Sequence, residues 1–197
     1  MGYYIRILGT SLAVPPLAEL QNAVRPATLD DGGVGDEWGS LVLKHESGVE
    51  IAVIEKNTVK DGELGAEEIE EFVDEVQHRK PDSAAAWLRD YLPSVKVIYA
   101  FQLLSGTDVD NGFDQMHAAW GLLWEYAGGI LQADQEGFSN EAGFTILWQF
   151  SDHVSGDWNA AVLDTSGRWI QFEMDLGNQS HREAFWRGEV PPGAKLL

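Results

Sequence analysis

Cysteine is absent from the 197-residue chain, which excludes a thiol nucleophile, a disulfide framework, cysteine-ligated zinc and iron–sulfur clusters. The second deficit is of positive charge. Between Lys96 and Arg168 there is no lysine or arginine, yet that stretch holds ten acids: Asp108, Asp110, Asp114, Glu125, Asp134, Glu136, Glu141, Asp152, Asp157 and Asp164. Residues 1–96 carry 18 acids against nine bases and residues 168–197 carry four of each, so over half of the net charge of −19 arises in this one stretch. A surface so poor in cations repels nucleic acid and anionic membrane, and it lacks the Lys or Arg that clamps phosphate or carboxylate substrates. No apolar run is long enough to cross a bilayer, and the opening MGYYIRILG carries neither a basic leader nor a small-residue cleavage site. The expected location is therefore cytoplasmic, without membrane contact, and the Asn178-Gln179-Ser180 sequon reads as a chance match.

Most familiar catalytic and cofactor motifs are missing as well. His45, His78, His117, His153 and His181 never fall three or four residues apart, so no helical face presents paired imidazoles to a metal, and neither a metal nor another cofactor is expected. The loop at residues 106–114 has the acid density of a calcium loop. Counted from Asp108, however, its sixth and twelfth positions are Phe113 and Ala119 in place of the required Gly and Glu. Asp108, Asp110 or Asn111 is instead read as the cap of the following helix. Gly33-Val34-Gly35-Asp36-Glu37-Trp38-Gly39 has the wrong spacing for a dinucleotide loop and would set Asp36 and Glu37 against a pyrophosphate, so it reads as a plain loop. There is no Gly-Lys pair for a Walker A motif and no Ser-x-x-Lys, and Gly137-Phe138-Ser139-Asn140-Glu141 lacks the second glycine of a nucleophile elbow. Nucleophilic catalysis has no support, and no catalytic residue is assigned.

What is present is a mixed pattern of strands and helices with 44% apolar content, enough for a substantial core. Residues 3–8 read as an opening strand, 17–24 as a short helix, and 41–44 with 49–56 as a hairpin across Glu46-Ser47-Gly48. Within 65–80, Ile69, Phe72, Val73 and Val76 form one helical stripe, with acids early and Arg79 and Lys80 late to suit the helix dipole. Pro81 is expected to end that helix, and Asp82 or Ser83 to cap a second one through Tyr91. Residues 95–104 are apolar on both faces, which predicts a central strand. A helix at 113–127, closed by Gly128-Gly129, is followed by short strands at 130–133 and 144–150. A hairpin of 159–163 with 169–174 and a short helix at 180–186 complete the pattern. The order strand, helix, hairpin thus occurs twice, at 3–56 and at 95–150. It predicts an α+β fold of two βαββ-like units, ferredoxin-like in style, with antiparallel or mixed sheets covered by helices. No Gly/Ser linker separates the halves 1–93 and 94–197, so they are expected to form one compact domain.

Two surfaces carry the functional expectation. Residues 131–143 place Asp134, Glu136 and Glu141 in what reads as one loop between two apolar strands, with Asp152, His153 and Asp157 after the next strand. A carboxylate pair with His153 has the components of acid–base chemistry on a neutral substrate, although acidic loops in acidic proteins are ordinarily just solvated. On the 113–127 helix, Phe113, His117, Trp120 and Trp124 fall at i, i+4, i+7 and i+11 and make one aromatic stripe. Met116, Ala119, Leu123 and Tyr126 make the other side apolar too, so the helix is expected to be sandwiched in the core, with His117 a core histidine. Facing a cleft between the halves, the same stripe would stack an aromatic or cationic small molecule, with Glu125 or Glu136 as counter-charge. Trp169 shares a strand face with Gln171, Glu173 and Asp175 and is expected to be partly exposed, as at an interface.

The leading expectation is a non-enzymatic acidic protein that binds a basic protein partner through Asp134, Glu136, Glu141, Asp152 and Asp157. Immunity proteins against nuclease toxins and mimics of DNA use acidity in this way, an analogy from charge alone. The alternative is a small-molecule binder or hydrolase built around Phe113, His117, Trp120 and Trp124, and a third arrangement is a homodimer through a sheet edge or Trp169.

Overall fold

Apolar alternation and glycine-closed turns divide the chain into strands and helices, which a computed structural model describes over residues 3–148 and 153–197. In chain order these are β1 (Tyr3–Gly9), α1 (Leu17–Ala23), β2 (Thr28–Asp30), β3 (Ser40–Lys44), β4 (Glu50–Thr58), α2 (Leu64–Val76), α3 (Asp82–Tyr91) and β5 (Val97–Leu103). There follow α4 (Gly112–Ala127), β6 (Ile130–Ala133), β7 (Gly137–Ser139), β8 (Thr145–Trp148), β9 (Asp157–Leu163), β10 (Trp169–Asp175), α5 (Gln179–Trp186) and β11 (Lys195–Leu196). The fold is mixed α+β. The chain forms two compact units, one of Met1–Glu67 with Val95–Gly129 and one of Glu68–Ser94 with Ile130–Leu197.

In the first unit the strands are ordered β1-β5-β4-β3-β2, each antiparallel to its neighbour. β5 takes the middle because Val97 through Phe101 are buried on both faces, as suits a strand paired along both edges. The register sets Ile7, Tyr99 and Lys56 in one row and Ile5, Phe101 and Ile54 in the next, and Leu41 opposite Ile54 and Leu43 opposite Ala52 continue the same face. Ile7, Tyr99, Phe101, Ile54, Leu41 and Leu43 are at most 1% exposed. α4 packs against β1, β4 and α1, burying Met116, Ala119, Leu123 and Ala127 at helical spacing. Each large apolar side chain buried in this seam contributes about 1.5–3 kcal/mol from area removed from water.

The exit of α4 is tight. The amide of Gly128 donates to Trp124 O at 2.7 Å, and the amide of Ser11 donates to Ala127 O at 3.0 Å. A Cβ on Gly129 would stand 2.0 Å from Leu8 O, and the residue has a φ of +89°, so both sterics and backbone conformation require glycine there.

In the second unit the order is β11-β10-β9-β8-β7-β6. β8 and β9 run parallel, with Thr145 opposite Ala160, and the Trp158 indole N–H donates to Thr145 Oγ1 at 2.8 Å. Alternate residues of β9 and β10 point into a core of Trp148, Ala160, Val162, Phe172, Met174, Leu176 and Phe185. α3 packs on β8 and β9 and buries Ala84, Ala85 and Leu88. Phe72 of α2 meets Phe138 edge-on with centroids 5.5 Å apart. α5 starts at Asn178, whose side chain accepts the amide of Ser180 at 3.0 Å.

Several local expectations are corrected. The helix expected at 65–80 ends at Val76: Arg79 and Lys80 occupy the next positions of its apolar stripe, so a further turn would bury nothing. Arg79 instead reaches back to Glu75 at 3.2 Å. α3 is entered from Pro81 with no side-chain cap, and the Asp82 carboxylate takes the Lys80 ammonium at 2.6 Å. Asn111 precedes α4 in the left-handed conformation without a side-chain cap, and Asp108 closes a short 3₁₀ turn over Ser105–Asp108. The 113–127 helix is not sandwiched, since one of its sides is open to solvent. The loop expected at 131–143 contains β7, whose three residues are too few for an alternation signal. The strand expected at 144–150 is present as β8, with Gln149 and Phe150 outside the described residues. The hairpin expected from 130–133 with 144–150 is interrupted by β7, which pairs with both β6 and β8, and β5, which opens the second run, is hydrogen-bonded between β1 and β4 of the first unit.

A pair of glycine variants tests the close approach of α4 to β1. Gly129→Ala is expected to lower the unfolding free energy by about 2 kcal/mol or more. Gly121→Ala, in the middle of α4 with open space around it, is expected to raise it by about 0.5–1 kcal/mol. Urea titration reads both, and an unchanged midpoint for Gly129→Ala would sink the steric account.

Candidate functional site

β7 divides the acidic residues expected to act together. Asp134 and Glu136 lie on the turn between β6 and β7, held by Gln135 at φ 64° and Gly137 at φ 94°. Glu141 lies on the turn between β7 and β8, at the opposite end of β7, where Asn140 Oδ1 accepts the amides of Ala142 and Phe144, each at 3.0 Å. Glu141 itself accepts the Tyr91 hydroxyl at 3.0 Å. Because β8 and β9 are parallel, Asp157 sits at the same end of the sheet as Glu141. Asp152 lies outside the described residues. The structure therefore brings Glu141 and Asp157 to one end and leaves Asp134 with Glu136 at the other.

One acidic residue absent from the sequence-level candidates joins the first group. The β9–β10 register puts Asp175 directly opposite Asp157, and both are exposed. Counting outward from the Asp164–Gly167 turn would have found it. Asp175 Oδ1 accepts the Gly177 amide at 2.8 Å, while the Asp175 amide donates to His181 Nδ1 at 3.1 Å. Like charges placed directly across a sheet destabilise it. Among the described residues no cation of the chain pairs with either aspartate, nor with Asp108, Asp110, Asp114, Glu125 or Glu136.

The aromatic stripe is on the wet side of α4. Phe113 is 52% exposed, His117 is exposed, and Trp120 and Trp124 are half-buried. Successive ring centroids are 6.4 Å (Phe113 to His117), 5.2 Å (His117 to Trp120) and 5.4 Å (Trp120 to Trp124) apart, an unbroken ladder along the helix. The Trp124 indole N–H donates to Gly129 O at 2.9 Å, which fixes the last ring, whereas the Trp120 N–H is shut off from solvent without an acceptor. His117 is thus a surface residue, contrary to the core reading. Tyr126, further round the helix, donates to Glu19 Oε2 at 2.8 Å and ties α4 to α1. That hydrogen bond, with some burial, pushes the Tyr126 phenol above its ordinary pKa.

Two further groupings escaped the sequence reading because their members are far apart in the chain. The Lys56 ammonium lies 4.7 Å from the centroid of Trp38, a cation–π contact, and Trp38 sits 6.0 Å from Tyr99. Burial holds Lys56 below the usual lysine range and pushes Tyr99 up to about 12. In the second unit an open groove of about 750 Å³ is lined by Lys80, Asp82, Ser83, Leu163, Glu183, Trp186, Arg187 and Gly188. Its cations are already engaged, Lys80 by Asp82 at 2.6 Å and Arg187 by Glu189 at 3.0 Å. Among the described residues no three His, Asp or Glu side chains come together as metal ligands, and no helix is long and apolar enough to cross a membrane. Trp169 is half-buried as expected and packs edge-on against Trp87 at 5.2 Å.

No protein-family model matches the chain, and no curated protein or solved structure is significantly similar to it.

Asp164 is built into its own turn. It accepts the Ser166 hydroxyl at 2.7 Å and the amides of Ser166 and Arg168 at 2.8 and 2.9 Å, with the Arg168 guanidinium 3.3 Å away. The Ser166 hydroxyl and these neighbours pull its carboxyl from 3.8 down to about 2. A carboxyl lowered on folding stabilises the fold above its unfolded pKa and loses that contribution as pH falls through the folded one. Asp164→Asn is therefore expected to lower the urea midpoint at pH 7, with the gap to wild type closing between pH 3.8 and pH 2. A gap that does not change with pH would contradict this role.

Proposed function

We propose that the chain is a non-enzymatic acidic binding protein that recognises a basic protein partner. The observation that carries this reading is the facing pair Asp157 and Asp175, two exposed like charges in register across β9 and β10 with which no cation pairs among the described residues. A local repulsion of this kind weakens the sheet in the free protein and is relieved when a lysine or arginine arrives from outside. Glu141 stands at the same end of the strands and extends the negative surface. Asp134 and Glu136, at the far end of β7, supply long-range attraction that speeds encounter without needing contact. The partner is basic because the net charge of −19 attracts cations, and screening makes that attraction fall as salt rises.

A second reading, a small-molecule binder or hydrolase that uses Phe113, His117, Trp120 and Trp124, draws on the exposure of that ladder. The two separate in a thermal-shift screen. Stabilisation by aromatic or quaternary-ammonium compounds, with no basic protein retained from lysate at low salt, favours the small-molecule site.

For the leading reading, the binding constant of a basic protein retained at low salt and released at high salt is the measure. The double reversal Glu141→Lys with Asp157→Lys is expected to weaken it at least about tenfold and to flatten its salt dependence. Asp157→Asn alone is expected to weaken binding while raising the urea midpoint of the free protein, because it removes the cross-strand repulsion. Unchanged affinity and salt slope in the double reversal would refute the proposal.

A further inference from the structure

We infer that the solvent side of α4 is a docking face for arginine side chains of that basic partner, an inference that rests on the reading above and names a surface it does not need. Three observations lead to it. The core of the first unit is completed by the adjoining side of α4, where Met116, Ala119, Leu123 and Ala127 are buried, so the exposed rings of Phe113 and His117 are not required to close it. The ladder instead exposes a phenyl ring and an imidazole and half-exposes two indoles on one face, a contiguous apolar and aromatic patch of the kind that marks interaction sites. The patch is also electrostatically unfilled. Asp114 and Glu125 on the same helix and Asp110 just before it are exposed, and among the described residues no cation of the chain lies over any of the four rings.

The chain does place a cation on an aromatic face where one is near in the fold, Arg6 at 5.1 Å from Tyr4 and Lys56 at 4.7 Å from Trp38. On α4 the rings are present and the cations are not, because residues 97–167 contain no lysine or arginine. Charge complementarity thus identifies the occupant as cationic. The ring ladder selects arginine over lysine: a guanidinium is planar and weakly hydrated, stacks flat on an aromatic face, and still presents a fork of N–H donors to a neighbouring carboxylate. Asp114 and Glu125 supply carboxylates near the two ends of the ladder. The ring spacing of 5.2–6.4 Å follows the helical pitch, so several arginines along one segment find successive sites and bind with the avidity of a linked array.

The test uses the full chain and two fluorescein-labelled dodecapeptides, one of alternating Arg and Gly and one of alternating Lys and Gly, followed by anisotropy at low salt. The arginine peptide is expected to bind at least about threefold more tightly than the lysine peptide and to quench tryptophan fluorescence. The double variant Phe113→Ala with His117→Ala is expected to weaken it about fivefold and to remove most of the difference between the peptides. Both positions are exposed, so the urea midpoint of this variant should match wild type; Phe113→Ser alone serves as a second variant with a smaller loss. Equal binding of the two peptides, unaffected by Phe113→Ala with His117→Ala but lost in Glu141→Lys with Asp157→Lys, overturns the docking face and leaves the acidic-protein reading standing. Binding of neither peptide to wild type overturns the docking face too, and its retention of basic proteins from lysate would then decide the broader reading separately.

Discussion

The two-edged pairing of β5 is the constraint from which the first unit follows. A strand hydrogen-bonded to β1 on one side and β4 on the other, and apolar on both faces, has no place for a charge, and Val97–Phe101 contains none. Its register builds the continuous face of Ile7, Tyr99, Phe101 and Ile54, which must be covered to stay dry. Gly9 belongs to that face, and a Cβ there would stand 2.7 Å from the Cβ of Ala127, so α4 is seated directly on it. Once the buried side of α4 is fixed, the side left to solvent is fixed as well. The exposure of the aromatic ladder is therefore a consequence of strand pairing and not of a loosely held helix.

The same economy of charge governs both units. Where the fold keeps a cation near the core it gives it a ring, as with Lys56 over Trp38, and accepts the desolvation that holds the amine below its usual pKa. Where it builds a carboxylate into a turn, as at Asp164, hydroxyl and amide donors do most of the work and Arg168 adds a nearby charge. Among the described residues, Asp108, Asp110, Asp114, Glu125, Glu136 and Asp157 have neither kind of partner. Exposed carboxylates of this sort add little to stability, since surface pairs are weak even when they form. Stability is left to apolar seams such as the Trp148, Phe172 and Phe185 core, and the acids are free to set how the surface interacts.

Much of the element order was legible because it depends on local signals. The stripe of Ile69, Phe72 and Val76, the Glu46-Ser47-Gly48 turn, the alternation of β9 and β10 and the apolar run of β5 each lie within one segment of chain. The shortest strands, β2, β7 and β11, were not legible, because two or three residues cannot show a period. That gap mattered for the site, since β7 is what separates Asp134 and Glu136 from Glu141. The misreading of α4 has another cause. Periodicity shows which residues share a face but not which of two apolar faces is buried, and small residues such as Ala119 and Ala127 turned out to mark the packed side. Cross-strand partners such as Asp157 with Asp175, and Lys56 with Tyr99, depend on register, which the sequence constrains only after the turn between the strands is placed.

Acidity alone would be accounted for by solubility, and exposed aromatic rings alone by imperfect packing, but each explanation predicts the opposite of the other feature. A surface selected only to stay soluble would not carry Phe113, His117, Trp120 and Trp124 in an unbroken ladder, because that patch invites association. A surface that merely failed to bury its rings would not need Asp157 opposite Asp175, which costs stability and buries nothing. Places where a local rule is broken without a structural return are where function is expected to reside. The proposed cationic, arginine-bearing partner would answer both at once, since its guanidinium groups would neutralise the facing aspartates and stack on the rings. The two features lie in different units, the ladder on α4 of the first and the aspartates on β9 and β10 of the second. Each would therefore be a separate contact to be removed on its own, and a cation is the one property that both would ask of the proposed partner.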